Sequence, residues 1–177
     1  MPLLTALSRF FSILLRNRDM MQSIDHLSKM DPLTSIMNRR GLMDYIQGLP
    51  SGHQYAFFFG DLNGLKEMND QFGHEAGDRL LQSAAAVLCQ SCPTNAVFRM
   101  GGDEFLMIRE VQDEKEAEKI HAQLHEQFRL AKIGISFGFA LAITPIENID
   151  TILAEADHNM YKEKVLHHQT HHQHSSY

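Results

Sequence analysis

Gly101-Gly102, set between the apolar runs Ala96–Met100 and Phe105–Ile108, restricts this chain more than any other pair of residues. Two glycines between strand-like runs predict a tight hairpin, because primed turns need positive φ, which glycine adopts without steric cost. A turn without side chains also lets a phosphate or ribose come close to the backbone. Asp103 and Glu104 follow at once and offer hard oxygen ligands, which suit Mg²⁺ bound together with a nucleotide's phosphates. Taken alone, the same residues also describe an ordinary hairpin with two solvated acids.

A second acidic strand end shifts the balance toward a shared site. Tyr55-Ala56-Phe57-Phe58-Phe59-Gly60 reads as a buried strand that runs into Asp61-Leu62-Asn63-Gly64-Leu65-Lys66. Ligands of layered sheet proteins collect at strand ends, so Asp61 is placed to share a cation with the hairpin carboxylates.

Periodicity predicts the remaining elements. Leu65–Asp70 is a short helix, Gly73–Asp78 breaks it, and Arg79–Cys89 is an Ala- and Leu-rich helix. Asp113–Phe128 is a charged helix whose buried side is Ala117, Ile120, Leu124 and Phe128; Ile133–Ile143 is a strand and Ile149–Val165 a final helix. The order β-α-(α)-β-β-α-β-α predicts an α+β fold of ferredoxin-like layout, a mainly antiparallel sheet with helices packed on one face. There is no internal repeat.

A chain of 177 residues, 44% hydrophobic and 21% charged, can bury one sizeable core with short extensions. Its formal net charge of -6 speaks against nucleic-acid binding, which needs a clustered basic face. Nucleotides remain allowed, since local lysines and a metal offset the global sign. Residues 1–30 read as a helical lead-in with an apolar stripe of Leu3, Leu4, Leu7, Phe10, Phe11, Leu14 and Leu15, continued by Met20, Met21, Ile24 and Leu27. Its apolar stretches are too short to span a bilayer, and Arg9 interrupts any signal-peptide core. A dimer helix is the first reading; docking on its own domain and peripheral contact of residues 1–20 with a membrane surface are the alternatives. Cys89 and Cys92 close a helix before Pro93 and lack the further ligands of a zinc site, so they read as reduced thiols of a cytoplasmic protein. Residues 167–177 form a His-rich tail, expected to be disordered and to hold a transition metal only adventitiously.

From about residue 31 to 166 the chain resembles the GGDEF domain family, the catalytic module of diguanylate cyclases. The matching pieces besides Gly101–Phe105 are Asp31-Pro32-Leu33-Thr34 with Asn38-Arg39-Arg40, Asp61-Leu62-Asn63 with Lys66, and Asn69-Asp70. Phe72-Gly73-His74, Gly77-Asp78, Ser136-Phe137-Gly138, and Ala156-Asp157 with Tyr161 and Lys164 complete the set, in the family's order and near its spacing.

The resemblance implies condensation of two GTP into cyclic di-GMP with release of two pyrophosphates, by a homodimer that depends on Mg²⁺ or Mn²⁺. It implies that Asp61, the Leu62 carbonyl, Asp103 and Glu104 hold metal, with Asp103 or Glu104 as proton acceptor. Lys66 and Lys164 match positions that contact phosphates, and Gly101 and Gly102 form the turn beneath the substrate. Asn69 and Asp78 fall to base selection, since a carboxylate accepts both N1–H and the exocyclic amine of guanine, a donor pair adenine lacks. His74 matches a substrate-contacting position and reads almost as well as a turn histidine. Asn38, Arg39 and Arg40 match a structural motif, and Arg99 fits a polar support for the hairpin. Three departures stand out: Asn63 where Asp is frequent, Cys92-Pro93-Thr94-Asn95 where the family's product site has Arg-x-x-Asp, and Leu166-His167-His168 where Gly-Arg and a closing strand should follow. Asn63 is a common variant that leaves Asp61 in place; the other two keep a second reading open, a catalytically inactive GTP-binding or partner-binding module on the same fold.

Overall fold

The computed structural model describes residues 29–173, so nearly all of the predicted helical lead-in lies outside the described residues. The elements are β1 (Met37–Asn38), α1 (Arg39–Gln47), β2 (Gln54–Leu62), α2 (Leu65–Phe72), α3 (His74–Ser91), β3 (Val97–Gly101), β4 (Glu104–Glu110), α4 (Glu114–Leu130), β5 (Ile135–Ile143) and α5 (Ile149–Gln173). The strands form one open sheet in the order β1-β3-β4-β2-β5. β1 runs parallel to β3 and every other pairing is antiparallel, which gives the mainly antiparallel α+β sheet expected from the sequence, with one parallel pair at its edge.

β2 lies between β4 and β5, and Ala56, Phe57 and Phe58 are fully buried although they point alternately to both faces. A strand covered on both sides carries a continuous apolar run rather than an alternating one. Burying each of these rings contributes roughly 1.5–3 kcal/mol, and a slip of one residue would send Asp61 to the wrong face. The aromatic run therefore fixes the register that positions the acid at its end.

Helices cover both faces of the sheet, not the single face expected. A Cβ on Gly138 would lie 2.1 Å from Met160 N and 2.4 Å from Ala156 O, so the backbone of α5 presses on that side of β5. The rings of the adjacent Phe137 and Phe139 meet His125, Phe128 and His121 of α4. Neighbours on a strand point opposite ways, which puts α4 and α5 on opposite faces. Helical periodicity identifies the apolar stripe of each helix but not the sheet face that receives it.

Three further differences are local. β1 and α1 lack a strong pattern in the sequence; α1 starts because the Asn38 side chain accepts hydrogen bonds from Arg40 N and Gly41 N. The break predicted over Gly73–Asp78 shrinks to Gly73, and α3 already begins at His74. α4 begins as predicted, with Asp113 Oδ1 accepting from Glu116 N at 2.9 Å and Glu116 Oε2 accepting from Gln112 N at 2.8 Å. The predicted stripe Ala117, Ile120, Leu124 and Phe128 is its buried side. α5 runs past Val165 into the His-rich segment.

Candidate active site at the hairpin end of the sheet

Sheet register delivers the acids to one place. Asp61 near the end of β2 is paired with Glu104 at the start of β4 on one side and with Ser136 of β5 on the other. Leu62 N donates to Asp103 O at 3.0 Å, which ties the second hairpin acid to the same corner. The Leu62 side chain is buried, so its carbonyl is the group it can offer a cation. From the opposite layer, Lys164 of α5 forms an ion pair with Asp61 Oδ1, both side chains being partly exposed.

The turn is held from below. Gly102 has φ of 49°, a left-handed conformation in which a side chain would be strained, and the ladder carries a bulge between Arg99 and Gly101. Arg99 donates to the Gly102 carbonyl from Nε at 3.1 Å and Nη2 at 2.8 Å. Its Nη1 reaches the Asp31 carboxylate at 3.1 and 3.3 Å. Asp31 Oδ1 also accepts from Thr34 N at 2.8 Å and Thr34 Oγ1 at 2.6 Å. Burial alone would raise the Asp31 pKa, but the Thr34 and Arg99 hydrogen bonds outweigh it and hold the carboxyl below its usual value. The Asp31-Pro32-Leu33-Thr34 segment is thus an anchor, through Arg99, for the Gly-Gly turn.

Negative charge accumulates at this corner. Desolvation raises the Glu104 pKa, and Asp103, Asp61 and Asp157 raise it further, while Arg39 pulls the other way. Glu104 and Asp157 share the wall of a cleft of about 220 Å³ with Arg39, Met100 and Asp150, and Arg39 Nη2 donates to Asp150 Oδ1 at 3.4 Å. Asp157 carried no role in the sequence reading; its signal was only its place beside Ala156. A crowded set of carboxylates with a lysine on one of them is the donor set that suits a hard divalent cation.

Gly77 lets α2 and α3 meet at Asn69. A Cβ on Gly77 would lie 2.0 Å from Asn69 Oδ1 and 3.1 Å from Leu65 Cδ1, so the absence of a side chain lets α2 and α3 close. The next residue, Asp78, is exposed and follows directly on that contact. Lys66 on α2 and His74 at the start of α3 are exposed. Asn63 turns aside to Ser136 Oγ, 3.2 Å from its Nδ2. On the far side of α3, Cys92 is buried, its Sγ 3.5 Å from Thr94 Oγ1, and Asn95 sits in a left-handed turn with φ of 53°.

Residues 28–170 match the family described as diguanylate cyclase, GGDEF domain. The chain belongs to the GGDEF family. It is 32% identical over 149 residues to the diguanylate cyclase DgcN of Escherichia coli K12, an alignment that covers 76% of this chain and 36% of DgcN. It therefore spans about a third of that relative. A microbial GGDEF domain solved for its interaction with cyclic di-GMP is 32% identical, with a TM-score of 0.65 over 77% of this chain and 93% of that one. The coiled coil and GGDEF domain of DgcB from Caulobacter crescentus, in complex with cyclic di-GMP, share the fold at a TM-score of 0.78 and 22% identity over 93% of this chain and 95% of that one. No helix among the described residues of this GGDEF domain is long and apolar enough to cross a membrane.

Proposed function

We propose that this GGDEF domain is an active diguanylate cyclase that joins two GTP into cyclic di-GMP and releases two pyrophosphates. The observation that carries the reading is the pairing of Asp61 with Glu104 across β2 and β4, beside Asp103 and the bare Gly101-Gly102 turn. Asp61, the Leu62 carbonyl, Asp103 and Glu104 would hold Mg²⁺ or Mn²⁺; when bound, the cation neutralises charge on the phosphate oxygens.

The chain's own residues do the positioning. Asn69 and Asp78 orient guanine, Asp78 accepting from N1–H and the exocyclic amine. The Gly-Gly turn leaves room for the ribose and phosphates, and Lys66 and Lys164 supply positive charge to the phosphates. The 3′-oxygen of one GTP forms a bond to the α-phosphorus of the other as the bond from that phosphorus to the pyrophosphate oxygen breaks. Glu104 or Asp103 accepts the hydroxyl proton. Phosphoryl transfer of this kind rests on alignment and charge neutralisation more than on covalent help.

The test is incubation of the protein with GTP and Mg²⁺ or Mn²⁺ and chromatography of the products. Cyclic di-GMP should form, and Asp103→Ala should abolish it while the circular dichroism is kept. GTP binding without product under all ion conditions would replace this reading with that of a GTP-binding module.

A further inference from the structure

A second cluster of ligating side chains lies away from the hairpin, around the open edge of β5. β5 is an end strand of the sheet, so part of its backbone has no strand partner. α4 and α5, on opposite faces, both reach round this edge. Phe139 O accepts from Asn159 Nδ2 of α5 at 3.0 Å, and Phe137 O lies 3.2 Å from His121 Nε2 of α4. His125, one helical turn after His121, brings its Nε2 to 2.9 Å from Glu163 Oε1, and His121 Nε2 lies 3.4 Å from Glu163 Oε2. One ligand atom from each of the three lies within 4.8 Å of the others.

We propose that His121, His125 and Glu163 form a site for a borderline transition-metal ion, Zn²⁺ above all, that staples α4 to α5 across the edge of β5. Histidines at i and i+4 present both imidazoles from one helical face, a recurrent zinc-ligand spacing. With bonds of about 2.0–2.2 Å, tetrahedral ligands stand roughly 3.3–3.5 Å apart; small side-chain rotations reach this from the present separations, with His121 leaving the Phe137 carbonyl and carrying its proton on Nδ1.

A set of ordinary ion pairs explains this cluster less well. His125 Nε2 is buried and, despite its short distance to Glu163, makes no hydrogen bond of acceptable geometry. Such a nitrogen is costly unless it has a partner. The rings are pre-set, His121 edge-on to His125 at 4.6 Å between centroids and His125 edge-on to Phe137 at 5.6 Å. Burial, assisted by the neighbouring His125, holds the His121 pKa down against the Phe137 carbonyl and Glu163. A cleft of about 280 Å³ lined also by Glu114 and Asn159 adjoins the cluster and leaves space for a water as fourth ligand. Two imidazoles and one carboxylate favour Zn²⁺, Co²⁺ or Ni²⁺ over Mg²⁺, which separates this site chemically from the carboxylate corner.

The histidines of the tail are expected to compete for the same ions, so the background is the full chain with His167, His168, His171, His172 and His174 replaced by Gln. Titrated with Zn²⁺ in the calorimeter, with excess Mg²⁺ present to occupy the carboxylate corner, that protein should bind one ion and melt at a higher temperature with Zn²⁺ than without. Co²⁺ should give visible ligand-field bands. In His125→Gln and in the nearly isosteric Glu163→Gln, each checked for unchanged circular dichroism, affinity should fall at least tenfold, with the melting shift and the bands lost. No binding once the tail histidines are gone, or the same affinity in both variants, overturns the site.

Discussion

Lys164, on α5, forms an ion pair with Asp61 at the end of β2, so a cation from one layer already stands on the carboxylate of another. If Asp61 holds a divalent ion and Lys164 contacts phosphate, the two roles compete in the free protein and cooperate once nucleotide arrives. Lys164→Met should then tighten Mn²⁺ binding without nucleotide by a few-fold, the effect of removing a competing ion pair worth about 1 kcal/mol or less. The same substitution should raise KM for GTP and lower turnover. Manganese titration and steady-state kinetics on one preparation check the split; weaker metal binding would show that Lys164 merely orders Asp61.

Glu104 sits in surplus negative charge, and its pKa is raised by desolvation and then by Asp103, Asp61 and Asp157. An acid whose pKa rises on folding destabilises the fold once ionised. The cost is absent below the unfolded pKa of about 4.3 and complete above the raised folded value. Glu104→Gln should therefore abolish cyclic di-GMP synthesis and raise the melting temperature by roughly 1–2 °C at pH 7. The gain over wild type should vanish as pH falls below about 4. A destabilised variant at neutral pH would contradict the reading of the corner as a strained carboxylate set.

Gly77 tests the guanine pair without touching a substrate-binding side chain. Alanine is the better helix former by roughly 0.5–1 kcal/mol, yet its Cβ would collide with Asn69 Oδ1. In Gly77→Ala the fold should survive while Asn69 is displaced. KM for GTP should rise at least tenfold and discrimination against ATP should fall, with turnover at saturation less affected. Unchanged selectivity would detach Asn69 from base recognition.

The carboxylate corner was legible in the sequence because its residues lie in short contiguous runs. Gly101–Phe105 and Tyr55–Leu62 each declared a strand end with an acid on it. That Asp61 faces Glu104 is a matter of register between β2 and β4, which no local pattern encodes. Gly77 was misread as a helix breaker because a glycine required by a neighbouring side chain looks the same in sequence as one required by a turn. β1, two residues long, has too little pattern to see. His121 and His125 stood at helical spacing, but Glu163 comes from another helix and only the wrapping of α4 and α5 round β5 joins them. Asp157 has no visible role in the sequence, since its nearness to Glu104 depends on where α5 crosses the sheet.

The working unit should be a homodimer. Among the described residues there is a single carboxylate corner with a single Asn69 and Asp78 beside it, enough for one GTP, while the proposed reaction consumes two. A second copy must then face the first about a two-fold axis. Residues 1–28 lie outside the described structure, but their apolar stripe from Leu3 to Leu27 is the segment expected to pair the copies. A tethered partner raises the effective concentration of one half-site at the other, commonly into the millimolar range for short linkers. Initial rate per mole of protein should therefore rise with protein concentration at high dilution. A chain beginning near Lys29 should need at least tenfold more protein to reach the same specific rate, with its GTP affinity unchanged. Light scattering with GTP present checks the mass directly. A specific rate independent of concentration in a strictly monomeric sample would contradict the dimer, and identical dilution curves for both chains would reassign the first residues to packing or to a membrane surface.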